Sequence, residues 1–549
     1  MKLKDATTDG YTTEDLRIIP WDDFLKATGA VPKEIVVKTR DTRYICLDVA
    51  YWDPEKKMGL HRRRTIGRYD AEGRRIMNGS EDDTSSRIRP RKKPYAVTEE
   101  VGCALLLDTV SARTGLGSVV TEVFGKKDAD AIMTCAYYMA RSDGALCGCE
   151  QWSAGSATPF GERLGDQRIS ELLPRLTADR QKEFFNLWRD KMGDDDNYAI
   201  DITSISSYIE TISIIRAGYN RDGEKLEQIN MALMVGSKSL LPVCYRIIPG
   251  NVNDKSALVP FIKTLDAMGF KRYKLVLDKG FYSEANVNEM YRLKVKFTLS
   301  VPNSKKFAAD AIEAARPSIG NFDNYLSYGT SKVYASTTRE SWTTDGKNHR
   351  CYVHVFFDPR KKSDDDNHFD EDLNSVRSRI LVDGDEAAVA SSMARKYLIV
   401  SKRNGKYTVK SNQAAIDEHK RNSSGFLVIL SNHVKTADEA LRIYRAKETA
   451  ECGFDDMKCD IDLDRLRIHS EEALNGKIFI AFLALILKFD ILRTIRDEQE
   501  LRYHSRDEVM REMAILRRTS IGGADPVYTE LTKLQKTVIA CFGITDGYS

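Results

Sequence analysis

Residues 198–206, YAIDITSIS, read as a β-strand that ends in a carboxylate, Asp201. Downstream, YIETISIIRAG (208–218), QINMALMVG (228–236) and LPVCYRIIPGN (241–251) read as further strands separated by polar, Gly-containing turns. SALVPFIKTLDAMGF (256–270) has the three-to-four spacing of an amphipathic helix. RYKLVLDKGF (272–281) reads as a buried strand that ends in Asp278. SEANVNEMYRL (283–293) reads as a helix with Ser283 as its N-cap, and KFTLSVP (296–302) as one more strand. Three strands, helix, strand, helix, strand is the order of a ribonuclease H-like α/β domain.

Working outward, residues 31–78 alternate polar with β-branched or aromatic residues, and DAEG (70–73) reads as a hairpin turn. Residues 79–93 are polar and basic and read as a linker. Residues 97–190 show helical spacing in VGCALLLDTVSARTG, DADAIMTCAYYMAR and LTADRQKEFFNLWRDKM. After the core, 303–440 contain strand-like pieces, HRCYVHVFF, KYLIVSKRNGKYTV and GFLVILSN, and an acidic stretch, SDDDNHFDED (363–372), that reads as a surface loop. Helices over 436–458 and 474–496 are expected to complete the core. The expected organisation is therefore α/β. A β-rich, basic N-terminal region expected to bind DNA spans 1–95, and a helical region spans 96–196. The first part of the core spans 197–302, a mainly β insertion 303–435, the helical end of the core 436–500, and a helical tail 501–549.

The 549 residues carry a net charge of +3, so net charge alone argues for no partner, but its distribution does. Between Arg62 and Lys93 there are eleven Lys/Arg against five Asp/Glu, including HRRR (Arg62, Arg63, Arg64) and RIRPRKK. A block of that kind can contact phosphates or be a solvated linker. The ten cysteines are scattered without zinc-like spacing, and a reducing cytoplasm is the simplest setting. The opening MKLKDATTDGYTTEDL is polar throughout, and the longest apolar run, IFIAFLALIL (478–487), is too short to span a bilayer. No membrane is expected.

Asp201 and Asp278, each expected at the carboxyl end of an apolar strand, are the first candidates for chemistry. Either alone fits a cap or turn as well. If their strands are neighbours, the carboxylates converge and repel unless cations neutralise them. Hard oxygen ligands of this kind suit Mg²⁺ or Mn²⁺. Glu451 lies in YRAKETAECGFDDMK (444–458), where Tyr444, Lys447, Glu451 and Lys458 fall within roughly 60° on one helical face. Three carboxylates can hold two ions about 3.5–4 Å apart for in-line displacement at phosphorus. Lys447 and Lys458 suit phosphate, and Tyr444 a base or a phosphate. An ordinary solvated face with Lys–Glu pairs is the alternative for this helix taken alone.

Here the chain resembles the DDE insertion-sequence transposases, in the subgroup with a Tyr-x2-Arg-x3-Glu-x6-Lys signature. The match is at Tyr444, Glu451 and Lys458; Lys447 stands where Arg is usual. YAIDITSIS resembles the Asp-x-Thr block, with Asp201 and Thr203, and VLDKGFYSEAN (276–286) resembles the second-Asp block. GYNRDGEKLEQINMAL and PVCYRIIPGNVND resemble the intervening strands. DRLRIHS and GKIFIAFLALIL resemble the downstream segment, with Arg465 and His469 at its positive places, and residues 51–73 the amino-terminal hairpin. The resemblance covers roughly 40–78 and 197–500.

It implies Asp201, Asp278 and Glu451 as catalytic metal ligands for two Mg²⁺ (or Mn²⁺) ions. DNA contacts are implied at Tyr444, Lys447, Lys458, Arg465, His469 and Thr203. The implied substrates are double-stranded terminal inverted repeats of the element and target DNA. The expected assembly is a homodimer in a synaptic complex, in a prokaryotic, nucleoid-associated setting. The insertion is expected near the transposon end, with Trp342 a candidate for stacking on a flipped base and a core Trp the commoner alternative. Two other readings stay open: a ribonuclease H-like nuclease that does not join strands, and a transposase-derived DNA-binding protein without catalysis.

Overall fold

The computed structural model describes residues 19–39, 42–53, 58–78, 96–141, 146–193, 197–207, 212–218, 226–270, 272–328, 331–447, 470–521 and 525–545. The basic linker 79–93 therefore lies outside the described residues. The chain divides into two units, one formed by residues up to 97 with 520–525, the other by the rest.

In the first unit, β1 (Lys33–Lys38), β2 (Arg43–Asp53), β3 (Met58–Tyr69) and β4 (Arg75–Met77) form one antiparallel sheet in that order. The expected DAEG turn is present. The Asp70 carboxylate accepts from the backbone N–H groups of Glu72 (3.0 Å) and Arg74 (2.7 Å), and Gly73 takes the positive φ of 82°. Helix α1 (Trp21–Thr28) supplies Phe24 to a small core with Val49 and Tyr51.

In the second unit β5 (Ala96–Glu100) leads into the helical region, with α2 (Gly102–Thr114), α3 (Leu116–Phe124), α4 (Lys126–Arg141) and α5 (Ala178–Met192). The core follows as β6 (Asn197–Ser207), β7 (Glu227–Gly236), β8 (Pro242–Pro249), α6 (Asp254–Ala267), β9 (Lys274–Leu277), α7 (Glu284–Arg292) and β10 (Lys296–Val301). Ser283 caps α7 as expected, its Oγ accepting from the Asn286 N–H at 3.1 Å. The strands pair as β8-β7-β6-β9-β10; β6–β7 and β7–β8 are antiparallel, whereas β6–β9 and β9–β10 are parallel.

Three expectations are corrected. Asp201 does not end its strand; it is the fifth residue of β6, which continues to Ser207 alongside β7. Residues 212–218, expected as strand, form bends and turns with a single bridge from Arg216 to Gln228. SDDDNHFDED is not a loop but lies inside a 24-residue helix, α9 (Pro359–Val382). That helix tolerates its acids because Asp358 caps it and Lys361–Asp365 (3.3 Å) and Lys362–Asp366 pair at i,i+4.

The segment 303–435 is accordingly mixed rather than mainly β. It carries α8 (Lys306–Ile319), α9 and α10 (Gln413–Ser423) besides strands. Its strands β11 (Tyr325–Tyr328), β12 (Ser331–Thr344), β13 (Lys347–Phe357) and β16 (Phe426–Ser431) extend the core sheet beyond β10, to nine strands in all. Between them β14 (Leu398–Arg403) and β15 (Lys406–Ser411) form a separate two-stranded ribbon, packed on α9 and α10 around Phe369, Tyr397 and Ile416.

The apolar segment becomes α11 (Glu471–Asp497), buried along nearly its whole length. Its Phe479 and Phe482 meet Phe184 and Phe185 of α5. Gly476 permits close packing: a Cβ there would stand 2.3 Å from the Leu173 carbonyl oxygen. Among the described residues no single helix is long and apolar enough to cross a membrane.

Candidate active site

The register of β6 against β9 builds the site. Ile200 pairs with Leu277 at the end of a parallel ladder; Asp201 is the next residue of β6, and Asp278 directly follows β9 in extended backbone. In-register residues of parallel neighbours project to the same side of a sheet, so both acids leave the sheet together. Ile200 and Leu277 are buried (1% and 0% exposed), whereas both aspartates are half-buried, between core and solvent. The site sits where the sheet changes from antiparallel to parallel pairing, at the carboxyl end of β9. Asp278 is held in extended backbone, and its carbonyl accepts from the Phe281 N–H at 3.0 Å, closing the turn that leads to α7.

The helix that begins at residue 437 is described as far as 447. It brings Tyr444 onto this pair: the Tyr444 hydroxyl donates to Asp278 Oδ1 at 2.9 Å. A cavity of about 710 Å³ opens here, lined by Asp278, Lys279, Asn303, Tyr444, Arg445 and Lys447 among others. Of the stripe expected on one helical face, Tyr444 therefore faces Asp278, while Glu451 and Lys458 lie outside the described residues, as do Arg465 and His469.

Two of the expected DNA contacts, Lys447 and Thr203, are buried side chains. Lys447 is 2% exposed and lines the cavity, with its ammonium 5.9 Å from the Tyr444 ring centre. Thr203 is 3% exposed inside β6. Arg445, off the predicted stripe, lines the cavity, as does Lys279. Lys279 follows Asp278 directly in the chain, and that adjacency was the available signal.

The arginines of HRRR are engaged within their own unit. Arg62 donates to the Ile19 carbonyl at 2.6 Å, with its guanidinium carbon 4.6 Å from the Phe24 ring centre. Arg63 bonds Asp48 at 2.7 Å, and Arg64 lies 3.9 Å from Asp22. Arg63 and Arg64 remain about half exposed, whereas Arg62 is tied to the small core. Trp342 is a packed residue, its Nε1–H donating to Asn288 Oδ1 at 2.8 Å and its ring edge-on to Phe307.

The donor set tests whether a divalent ion fits. Two half-buried carboxylates that follow paired residues of neighbouring strands offer hard oxygen donors, which match Mg²⁺ or Mn²⁺ rather than a soft ion.

The site so far defines an α/β protein with an aligned carboxylate pair at the centre of a mixed sheet. Over residues 194–487, more than half its length, the chain matches the family model described as "Transposase DDE domain", and it belongs to that family. It is a DDE-type DNA transposase, a class of enzyme that works with divalent metal ions on a ribonuclease H-like core. Among curated proteins none matches the chain. Among solved structures, a piggyBac transposase synaptic complex with hairpin DNA is similar at 11% identity and a TM-score of 0.32, covering 75% of this chain and 76% of that one.

Proposed function

We propose that Asp201, Asp278 and Glu451 hold two Mg²⁺ (or Mn²⁺) ions for cleavage of the ends of the chain's own element and their transfer to target DNA. The observation that carries this reading is the Ile200–Leu277 register, which sets Asp201 beside Asp278 with Tyr444 bonded to the latter. Bound divalent ions would supply an activated water or 3′-hydroxyl and neutralise charge on the leaving oxygen. The chain's residues do the rest. Tyr444 fixes the orientation of Asp278 by donating to Oδ1. Lys279 and Arg445 bring positive charge to the cavity, where phosphate oxygens of the cut strand would lie. Lys447, buried behind Tyr444, supports that ring. The substrates on this reading are terminal inverted repeats and target duplex, held by a homodimer in a synaptic complex on prokaryotic nucleoid DNA.

Asp201→Asn and Asp278→Asn should each abolish Mg²⁺-dependent cleavage of end-bearing duplex while changing end binding by less than about threefold. Cleavage that persists in either purified variant overturns the assignment. Strand transfer from pre-cut ends separates transposition from simple hydrolysis. Inverted repeats on both sides of the gene would supply the substrate.

A further inference from the structure

We propose that the β14–β15 ribbon is a contact surface for the backbone of duplex DNA, separate from the carboxylate site. This rests on the reading of the chain as a transposase that acts on DNA.

From Arg395 to Lys410 the chain has six Lys/Arg and no Asp/Glu. The ribbon closes on Asn404 and Gly405, both at positive φ (52° and 76°), a two-residue turn that holds the strands in tight register. Alternation then sorts its side chains. Leu398, Val400, Tyr407 and Val409 turn toward α9 and α10, with Leu398 and Val409 buried in that satellite core. The other face carries three cross-strand pairs: Ile399 with Lys410, Ser401 with Thr408, and Arg403 with Lys406. All six residues are exposed, Ile399 at 58%.

Charge on this face is unbalanced by design of the register. Arg403 stands directly across from Lys406, a like-charge pair that costs stability in a free sheet. Among the described residues none of Arg403, Lys406 and Lys410 meets a carboxylate. Lys402, on the opposite face, does pair with Glu386 at 3.2 Å. On the neighbouring α9, Asp365 and Asp366 pair with Lys361 and Lys362 of the same helix, and Asp370 pairs with Lys420 of α10. A polyanion is the partner that relieves the repulsion. Lys406 and Lys410 are four residues apart, about 13 Å along a strand. Duplex DNA presents a phosphate on each strand every ~3.4 Å of axis, so the ribbon spans several. A two-stranded ribbon also fits the width of the major groove. The hydroxyl pair Ser401–Thr408, 2.6 Å apart, adds neutral donors between the cationic ends, and Ile399 adds apolar surface for sugar.

Lysines on exposed strands also block edge-to-edge association. That role would make a neutralised ribbon aggregate without changing how DNA binding responds to salt, so the two are separable. The test uses the full chain, a duplex oligonucleotide of arbitrary sequence and a salt series read by anisotropy. The variant Arg403→Gln/Lys406→Gln/Lys410→Gln should lose about tenfold or more in affinity. Its slope of log K against log salt should fall in magnitude by about 2–3, at ~0.9 per phosphate contact. Lys533→Gln/Lys536→Gln, which removes charge beside Glu498 and Glu500, should leave the slope unchanged. A triple variant with wild-type affinity and slope overturns the proposal and leaves the transposase reading standing. Wild-type protein with no affinity for duplex brings down both. If the triple variant does not fold, Lys410→Gln alone should lower the slope by about one, and an unchanged slope there is equally fatal.

Discussion

The Tyr444 hydroxyl donates to Oδ1 of Asp278 at 2.9 Å, across 166 residues of sequence. A phenol that bonds a carboxylate fixes the direction of its remaining lone pairs. Hydrogen bonds to charged groups contribute about 1.5–3 kcal/mol. Tyr444→Phe keeps the ring beside Lys447 and removes only the hydroxyl. It should slow metal-dependent cleavage about tenfold to a hundredfold and raise the Mg²⁺ concentration needed for half-maximal rate. Duplex affinity measured without metal should be unchanged. Equal rates for Tyr444→Phe and wild type across a Mg²⁺ titration would remove Tyr444 from the site.

The carboxylate pair should announce itself without catalysis. An ion that binds only the folded chain stabilises it, by about 2.7 kcal/mol at a hundredfold excess over Kd. Mn²⁺ added to the wild-type protein should raise Tm by a few degrees, and Asp201→Asn or Asp278→Asn should cancel most of the rise. A full rise in both variants would place the ion elsewhere.

What was legible in the sequence follows from what is local. The succession of strands and helices around Asp201 and Asp278 shows in runs of apolar residues broken by turn formers, and apart from residues 212–218 those elements follow one another along the chain as expected. The extent of β6 past Asp201 was not legible, because it depends on β7 running alongside as far as Glu227 while β9 stops at Leu277. The acidic stretch 363–372 reads as loop by composition, yet pairs with Lys361 and Lys362 from the preceding turn offset its repulsion within α9. Lys447 looks solvated from its helical position alone. It is instead buried, at a cavity that residues far away in sequence, Asn303 and Phe426, also line. Side chains on one stripe can be read from spacing, but what covers the stripe cannot.

The long helix α11 depends on a buried charge. Asp490 is 0% exposed and accepts from Arg113 Nε at 3.0 Å, with Arg493 on its other oxygen. Arg113 also donates to Thr494 Oγ1 at 2.8 Å, tying α2 to α11. Removing the acid leaves two guanidinium groups facing each other. Breaking a buried pair typically costs 3–5 kcal/mol, and the partial exposure of both arginines puts Asp490→Ala at about 3 kcal/mol. The urea midpoint should fall accordingly, while Arg493→Ala, which leaves one pair intact, should cost markedly less. Equal midpoints for Asp490→Ala and wild type would show the cluster to be ornamental.

Acid should loosen the insertion's attachment to the core sheet through His354 of β13. The ring is 0% exposed, and burial pushes its pKa from 6.5 down to about 4. Its Nε2 donates to the Val434 carbonyl at 3.3 Å, and Nδ1 accepts from Thr337 Oγ1 at 2.9 Å, a pairing that suits the neutral ring. Because the folded pKa is depressed, the unfolded chain binds the extra proton first. Stability from this residue is full above pH 6.5 and is lost as pH falls toward 4, to a total of about 3 kcal/mol. His433, also lowered to about 4 by burial and the nearby Lys274 and Lys296, acts in the same direction. His354→Gln should be less stable than wild type at pH 7.5 but lose less on acidification, its pH slope shallower by about one proton between pH 6.5 and 4. Parallel stability curves for the two proteins across that interval would show that His354 is not a neutral buried ring.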